Sequence, residues 1–156
     1  MEIQLTINGV KKKFHIEPGE ILLDLLRREG YYSLKKGCGQ GECGSCSVLL
    51  DGRAVKSCLL FAAQMQGRNL ITVEGIGTTD NPHPIQTSLV KEGAVQCGFC
   101  IPGKIVSLKG LLDRNPKPSD HEIRRALEGN LCRCTGYVKQ IKAAKKAAGK
   151  LRRARR

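Results

Sequence analysis

From Ile3 to Ile7 apolar and polar residues alternate ("IQLTI"), the period-two pattern of a half-buried strand. Asn8-Gly9 follows as a hairpin turn, and "KKKFHI" (11–16) returns as a second strand. After Pro18-Gly19 the period changes. "EILLDLLRREG" (20–30) repeats Ile and Leu at helical spacing, with Gly30 placed as the C-terminal stop. "SVLL" (47–50), Asp51-Gly52 and "RAVKS" (53–57) predict a second hairpin, and "NLITVEG" (69–75) a last strand. A small mixed sheet with one helix packed across it fits this order.

The texture shifts at "GIGTTDNPHP" (75–84), which is turn-rich and poor in apolar residues, as a linker would be. Everything after it reads as helix. Pro84 suits the first turn of a helix running to about Glu92. Pro102 opens another, with Ile101, Ile105, Leu108, Leu111 and Leu112 on one stripe, and "NPKP" ends it. Ser119 and Glu122 form a capping box ahead of Ile123, Ala126 and Leu127, with Gly129 as the stop. A last helix extends from about Val138 through Ile141, Ala144 and Ala148 to Leu151. The expected class is therefore α+β, with residues 1–76 as a sheet-and-helix domain and residues 77–156 as a four-helix domain.

Composition sharpens this division. Halves of about 75 residues are each marginal without a cross-link or a metal. The chain has no Trp, three Phe and three Tyr, so aromatic packing is scarce, yet it carries eight Cys. "MEIQLTINGV" lacks the basic and apolar regions of a secretory leader, and no later run is long enough to span a bilayer. A cytoplasmic setting is the expectation, and there eight cysteines argue for metal, redox chemistry or reactive thiols rather than four disulfides. The net charge of +13 is unevenly spread: Thr135–Arg156 holds nine Lys or Arg and no acid, leaving 18 basic against 14 acidic residues elsewhere. Few aromatics interleave with that tail, so it offers no stacking platform for bases. A solvated helix face or a contact with an acidic partner is the expected role, not nucleic-acid binding.

The first cysteine set lies in "KKGCGQGECGSCSVLLDGRAVKSC": Cys38, Cys43, Cys46 and Cys58, spaced C-x4-C-x2-C-x11-C. This is the arrangement of plant-type ferredoxins, which hold a 2Fe–2S cluster on four thiolates. Two irons bridged by two sulfides need two thiolates each, so a loop must curl around the cluster while one ligand arrives from elsewhere. Gly37, Gly39, Gly41 and Gly44 supply such a loop and can aim backbone N–H groups at the sulfurs. Zinc usually takes two Cys-x-x-Cys knuckles, and this half has one. The iron–sulfur reading is favoured. The second set is Cys97, Cys100, Cys132 and Cys134, spaced C-x2-C-x31-C-x1-C. From the residues alone, a second cluster, an all-cysteine zinc site and a redox-active Cys97/Cys100 pair all stand, with the cluster favoured because a one-residue gap does not make a zinc knuckle.

"GCGQGECGSCSVLLDG", "SC", "GAVQCGFCIPG" and "GNLCRCTGY", in that order and at those separations, strongly resemble the iron–sulfur subunit of the molybdenum hydroxylases, the xanthine dehydrogenase, aldehyde oxidase and carbon monoxide dehydrogenase family. The match covers about residues 3–145. The resemblance implies an N-terminal β-grasp, ferredoxin-like domain followed by a four-helix bundle, each with a 2Fe–2S cluster. Gln96 matches the glutamine that contacts the molybdopterin cofactor of the partner subunit, and Cys134 the cluster ligand nearest that pterin. It further implies electrons passing from a molybdopterin-binding large subunit, through the helical-domain cluster and then the ferredoxin-domain cluster, towards a FAD-binding medium subunit. The assembly would be a hetero-oligomer, a dimer of heterotrimers being one form. Two positions depart from the family pattern: Ile101, where Thr is usual, and Gln40, where an acid is common.

His15, His83 and His121 lie far in sequence from the cysteine pairs and are read as surface or turn residues. Glu42 is read as solvated, Met65 as core, and Ser45 and Ser47 as either loop polarity or hydrogen-bond donors to sulfur. No nucleophile–base–orienter set or phosphate-binding glycine loop appears, so the chain carries electrons and does not itself bind the organic substrate. A stand-alone two-cluster ferredoxin is the alternative, and a two-site zinc protein the third.

Overall fold

The computed structural model describes residues 1–154; Arg155 and Arg156, the end of the basic tail, lie outside the described residues. β1 (Glu2–Ile7) and β2 (Val10–His15) pair antiparallel through the Asn8-Gly9 turn, where Asn8 takes φ 51°. α1 (Leu22–Arg28) follows. β3 (Ser47–Leu50) and β4 (Arg53–Lys56) form the second hairpin, with Asp51 at φ 48°, and β5 (Asn69–Ile71) completes a sheet ordered β2-β1-β5-β3-β4. β5 lies parallel to β1 and antiparallel to β3.

The last strand is shorter than the alternation of residues 69–75 predicts. Asn8 ends it: its Oδ1 accepts from Thr72 N at 2.9 Å and its Nδ2 donates to Thr72 Oγ1 at 3.0 Å. The chain then tightens into a 3-10 turn at Val73–Gly75. A side-chain amide from the first hairpin has replaced the ladder.

Leu22, Leu23, Leu25 and Leu26 of α1 are fully buried against Ile3, Leu5, Ile7, Phe14, Val48 and Leu70 on one face of the sheet. Such burial is worth roughly 1.5–3 kcal/mol per leucine before the cost of ordering the chain. The other face carries the helical half: α2 (Pro84–Lys91), α3 (Ile101–Arg114), α4 (Asp120–Leu127) and α5 (Val138–Ala154). α3 packs directly on β3, and α2 packs on α5. Adjacent residues of β3 point to opposite faces, so Val48 belongs to the first core and Leu49 to the second, beside Leu108, Leu111 and Leu112. One strand therefore serves two cores, which seats the helices firmly on the sheet.

α2 and α4 start where Pro84 and the Ser119–Glu122 box place them. Ser119 Oγ accepts from Glu122 N, and Glu122 Oε2 accepts from Ser119 N at 2.7 Å. His83 is the N-cap of α2, with Nδ1 accepting from Ile85 N at 3.2 Å and Gln86 closing the box at 2.7 Å. Glu42 is exposed and Met65 buried, as expected. Among the described residues no helix is long and apolar enough to cross a membrane.

Candidate metal centres

One loop and a 3-10 turn present the first cysteine set. Cys38 and Cys43 sit in the glycine-rich loop between α1 and β3, Cys46 immediately precedes β3, and Cys58 lies in the 3-10 turn Ser57–Leu59 after β4. Hydrogen bonds hold this frame: Ser57 Oγ donates to Cys46 O at 2.7 Å, and Ser47 Oγ donates to Gly44 O at 2.8 Å. Ser47 thus secures the loop backbone and not a sulfur. At Gly37 a Cβ would stand 2.8 Å from the Cys43 sulfur, so only glycine lets the loop close this tightly over the thiols.

The second set comes from two helix approaches. Cys97 and Cys100 precede α3, and Cys132 and Cys134 lie in the connection from α4 to α5. The sequence separation of this second pair from the first is closed by the bundle: the sulfurs of Cys97 and Cys134 come within 3.5 Å. Cys100 and Cys132 likewise face one another, as do Cys46 with Cys58 and Cys38 with Cys43. All eight cysteines are free thiols.

The sulfurs therefore meet in four twos. Among the described residues no three His, Cys, Asp or Glu side chains converge on a point where a single ion could sit. A tetrahedral zinc site requires such convergence. A two-iron, two-sulfide rhomb does not, because each iron takes only two thiolates. The donor chemistry and its pairing fit 2Fe–2S clusters.

Electrostatics within the pairs follow the same division. Backbone N–H groups of Cys43 and Gln40 donate to the Cys38 sulfur and bring its pKa down to about 6. Burial pushes Cys58 up to about 11 and Cys100 up to about 11. Burial also acts to raise Cys132, but the Thr135 hydroxyl, 3.3 Å away, and the Thr135 N–H outweigh it and leave the thiol at about 6. The Phe99 N–H lowers Cys97, and Cys134, sharing its proton with Cys97, is raised. Loop amides aimed at sulfur are also what stabilises the negative charge of cluster thiolates and sulfides.

The two sets abut. Leu131 N, one residue before Cys132, donates to Cys43 O at 2.9 Å. Gly44, next to Cys43, takes φ +73°, and a Cβ there would meet Gly129 O at 2.0 Å; one on Gly103 would meet Gly44 O at 2.1 Å. Lys56 Nζ, half-buried, donates to Gly129 O and tightens the same seam. A cavity of about 220 Å³ between the sets is lined by Cys43, Cys97, Phe99, Cys100, Cys132 and Cys134, among others. Gln96, Cys97 and Cys134 are open to solvent, with Phe99, Leu131 and Val138 exposed around them. Beside the first set, Leu59 and Phe61 are exposed too.

Sequence reading located all eight cysteines but missed what supports the second set. Lys104, Gln140 and Asn130 are fully buried there. The usable signal was a lysine on the apolar stripe between Ile101 and Leu108.

Residues 5–72 match the 2Fe-2S iron-sulfur cluster binding domain family, and residues 72–145 the 2Fe-2S binding domain family. The chain is 47% identical over 138 residues to the nicotinate dehydrogenase small FeS subunit of Eubacterium barkeri, covering 88% of each. It is 48% identical over 137 residues to the xanthine dehydrogenase iron-sulfur-binding subunit of Escherichia coli O157:H7, covering 86% of each. Its structure superposes on quinoline 2-oxidoreductase from Pseudomonas putida 86 with a TM-score of 0.93 at 42% identity, covering 98% of this chain and 96% of that one.

Proposed function

Because the chain belongs to the iron–sulfur subunits of the molybdenum hydroxylases, we propose that its eight cysteines hold two clusters in series. Two 2Fe–2S clusters and an electron-transfer role within an oxidoreductase follow from that membership. When bound, each cluster accepts and returns one electron. Cys38 and Cys43 would hold one iron and Cys46 and Cys58 the other of the first cluster; Cys97 with Cys134, and Cys100 with Cys132, would hold those of the second. The observation that carries this assignment is the meeting of the sulfurs in four twos, with two such pairs on each side of one tight seam.

Exposed residues beside each set support a direction of electron flow. The relatives are small subunits of multi-subunit enzymes, so this chain works beside a larger subunit. Exposed Gln96, Cys134 and the apolar Phe99, Leu131 and Val138 suit the face turned to a molybdopterin-binding subunit. Leu59 and Phe61 beside the first set suit the face turned to a FAD-binding subunit. Electrons would enter at Gln96 and Cys134, cross the Leu131–Cys43 contact, and leave near Cys58. In this reading residues 1–76 and 77–156 act as one domain per cluster, in a cytoplasmic hetero-oligomer such as a dimer of heterotrimers.

Metal analysis of anaerobically purified protein tests the assignment. About four iron and four acid-labile sulfide per chain, with two EPR signals on reduction, are expected. Stoichiometric zinc without sulfide would overturn it, and a fully metallated chain with no partner subunit would favour a free ferredoxin.

A further inference from the structure

Lys104 is the only charged side chain among the described residues that is buried, with 0% of its surface exposed. It lies one turn into α3 from Cys100, to whose carbonyl its own N–H donates at 3.2 Å. Its Nζ donates to Gln140 Oε1 and sits 4.3 Å from the centroid of the Tyr137 ring. Among the described residues no carboxylate pairs with it. An ammonium taken out of water with no counter-charge costs several kcal/mol, and an amide oxygen plus a ring face recovers only part of that.

The compensating charge is at hand on the other side. Burial acts to lower the Lys104 pKa, and the sulfurs of Cys100 and Cys132, when ionised, act to raise it. A hydrogen-bonded chain joins them: Gln140, which accepts from Lys104, donates through Nε2 to Thr135 Oγ1 at 2.9 Å, and Thr135 Oγ1 lies 3.3 Å from the Cys132 sulfur. Tyr137 closes the circuit, its hydroxyl accepting from Cys132 N at 2.9 Å. Every group that holds Lys104 also touches the segment carrying Cys132.

Resting on the reading that Cys97, Cys100, Cys132 and Cys134 hold a 2Fe–2S cluster, we propose that Lys104 is a built-in counter-cation that raises the reduction potential of that cluster. Four thiolates around a two-iron, two-sulfide core of charge +2 give a net −2 when oxidised. One electron from the donor makes it −3, with no bond broken and no proton required. A fixed positive charge in a low-dielectric site favours the −3 state over the −2 state, so it draws the electron in. Gln140 and Tyr137 position the ammonium and exclude water from it. The first set has a looser counterpart: Lys56 also lies in the field of Cys46, Cys43, Cys58 and Cys38, but it is only half-buried and is committed to the Gly129 carbonyl. Lys104 would thus make the second cluster a better electron acceptor than its thiolates alone allow.

The test is an EPR-monitored redox titration of the cluster-loaded, full-length chain carrying Lys104→Met. The reduction equilibrium of the helical-domain cluster is expected to fall at least tenfold, which for a one-electron couple is 59 mV more negative. The other cluster should keep its midpoint and serves as the internal reference. Lys104→Gln fills the same space and keeps a polar contact to Gln140, so it reports the charge alone should the Met variant fail to assemble; the same downward shift is expected. Lys104→Arg should stay near the wild-type midpoint. Met and Gln variants that both titrate at the wild-type potential would overturn the proposal. Finding no 2Fe–2S centre in the helical half of the wild-type chain would instead overturn the cluster assignment on which it rests.

Discussion

Replacing Gly44 by Ala probes the seam through which the two cysteine sets meet. Gly44 has φ +73°, and a left-handed backbone costs a residue with a side chain roughly 1–2 kcal/mol. Its Cβ would also stand 2.0 Å from Gly129 O and 2.7 Å from Asn130 Oδ1, where ordinary contact begins at 3.4 Å. Gly129 O is main chain and is already held by Lys56, so it cannot swing aside like a side-chain tip. One strand of the seam must retreat by more than an ångström, and overpacking of this kind costs about 1–3 kcal/mol. The sum is roughly 2–5 kcal/mol, which in a chain of this length lowers Tm by about 10 °C. Gly52→Ala is the control: it has φ +81° but nothing within 4 Å, so only the backbone cost of about 1–2 kcal/mol applies. Differential scanning calorimetry of both variants at equal iron loading is the assay. If Gly44→Ala lowers Tm no more than Gly52→Ala, the seam is looser than its geometry indicates.

Three further outcomes are expected. In the apo chain, thiol alkylation mapped by mass spectrometry at pH 7 should mark Cys38 and Cys132 first, because pKa values near 6 leave them ionised, and should fall off below pH 6; Cys58 and Cys100, near 11, should stay protonated and unreactive until strongly alkaline pH, and early labelling of either would contradict this ordering. Cys58→Ser should abolish the EPR signal of the ferredoxin-domain cluster and loosen the first core, since cluster binding and folding are linked, while the helical-domain signal persists; joint loss would refute independent sites. Gln96→Ala should slow substrate-driven reduction of the helical-domain cluster by about tenfold or more through misplaced contact with the partner, leaving reduction by dithionite unchanged, and a normal substrate-driven rate would remove Gln96 from the electron entry point.

Much of this protein is readable along the chain because the deciding interactions are short. Asn8-Gly9 and Asp51-Gly52 each set a hairpin within two residues, and Ser119 with Glu122 starts α4 within three. The alternation of "IQLTI" and the leucine spacing of α1 announce one buried face each. The spacing of Cys38, Cys43 and Cys46, with glycines between, is likewise local, since one loop must wrap one group. What the chain could not disclose depends on groups that folding alone brings together. Residues 69–75 look like a uniform strand until Asn8, some sixty residues earlier, takes Thr72 into its own hydrogen bonds. The pairing of Cys97 with Cys134 and Cys100 with Cys132, rather than neighbour with neighbour, exists only once the helices set the approach to α3 beside that to α5. Lys104 reads as a misplaced charge on an apolar stripe, and only the closed bundle supplies Gln140, Tyr137 and the thiols that make burying it tolerable. Local patterning chooses elements because backbone sterics and solvent exposure act over a few residues; the sites needed the tertiary structure because charge and sulfur chemistry act through space, regardless of sequence distance.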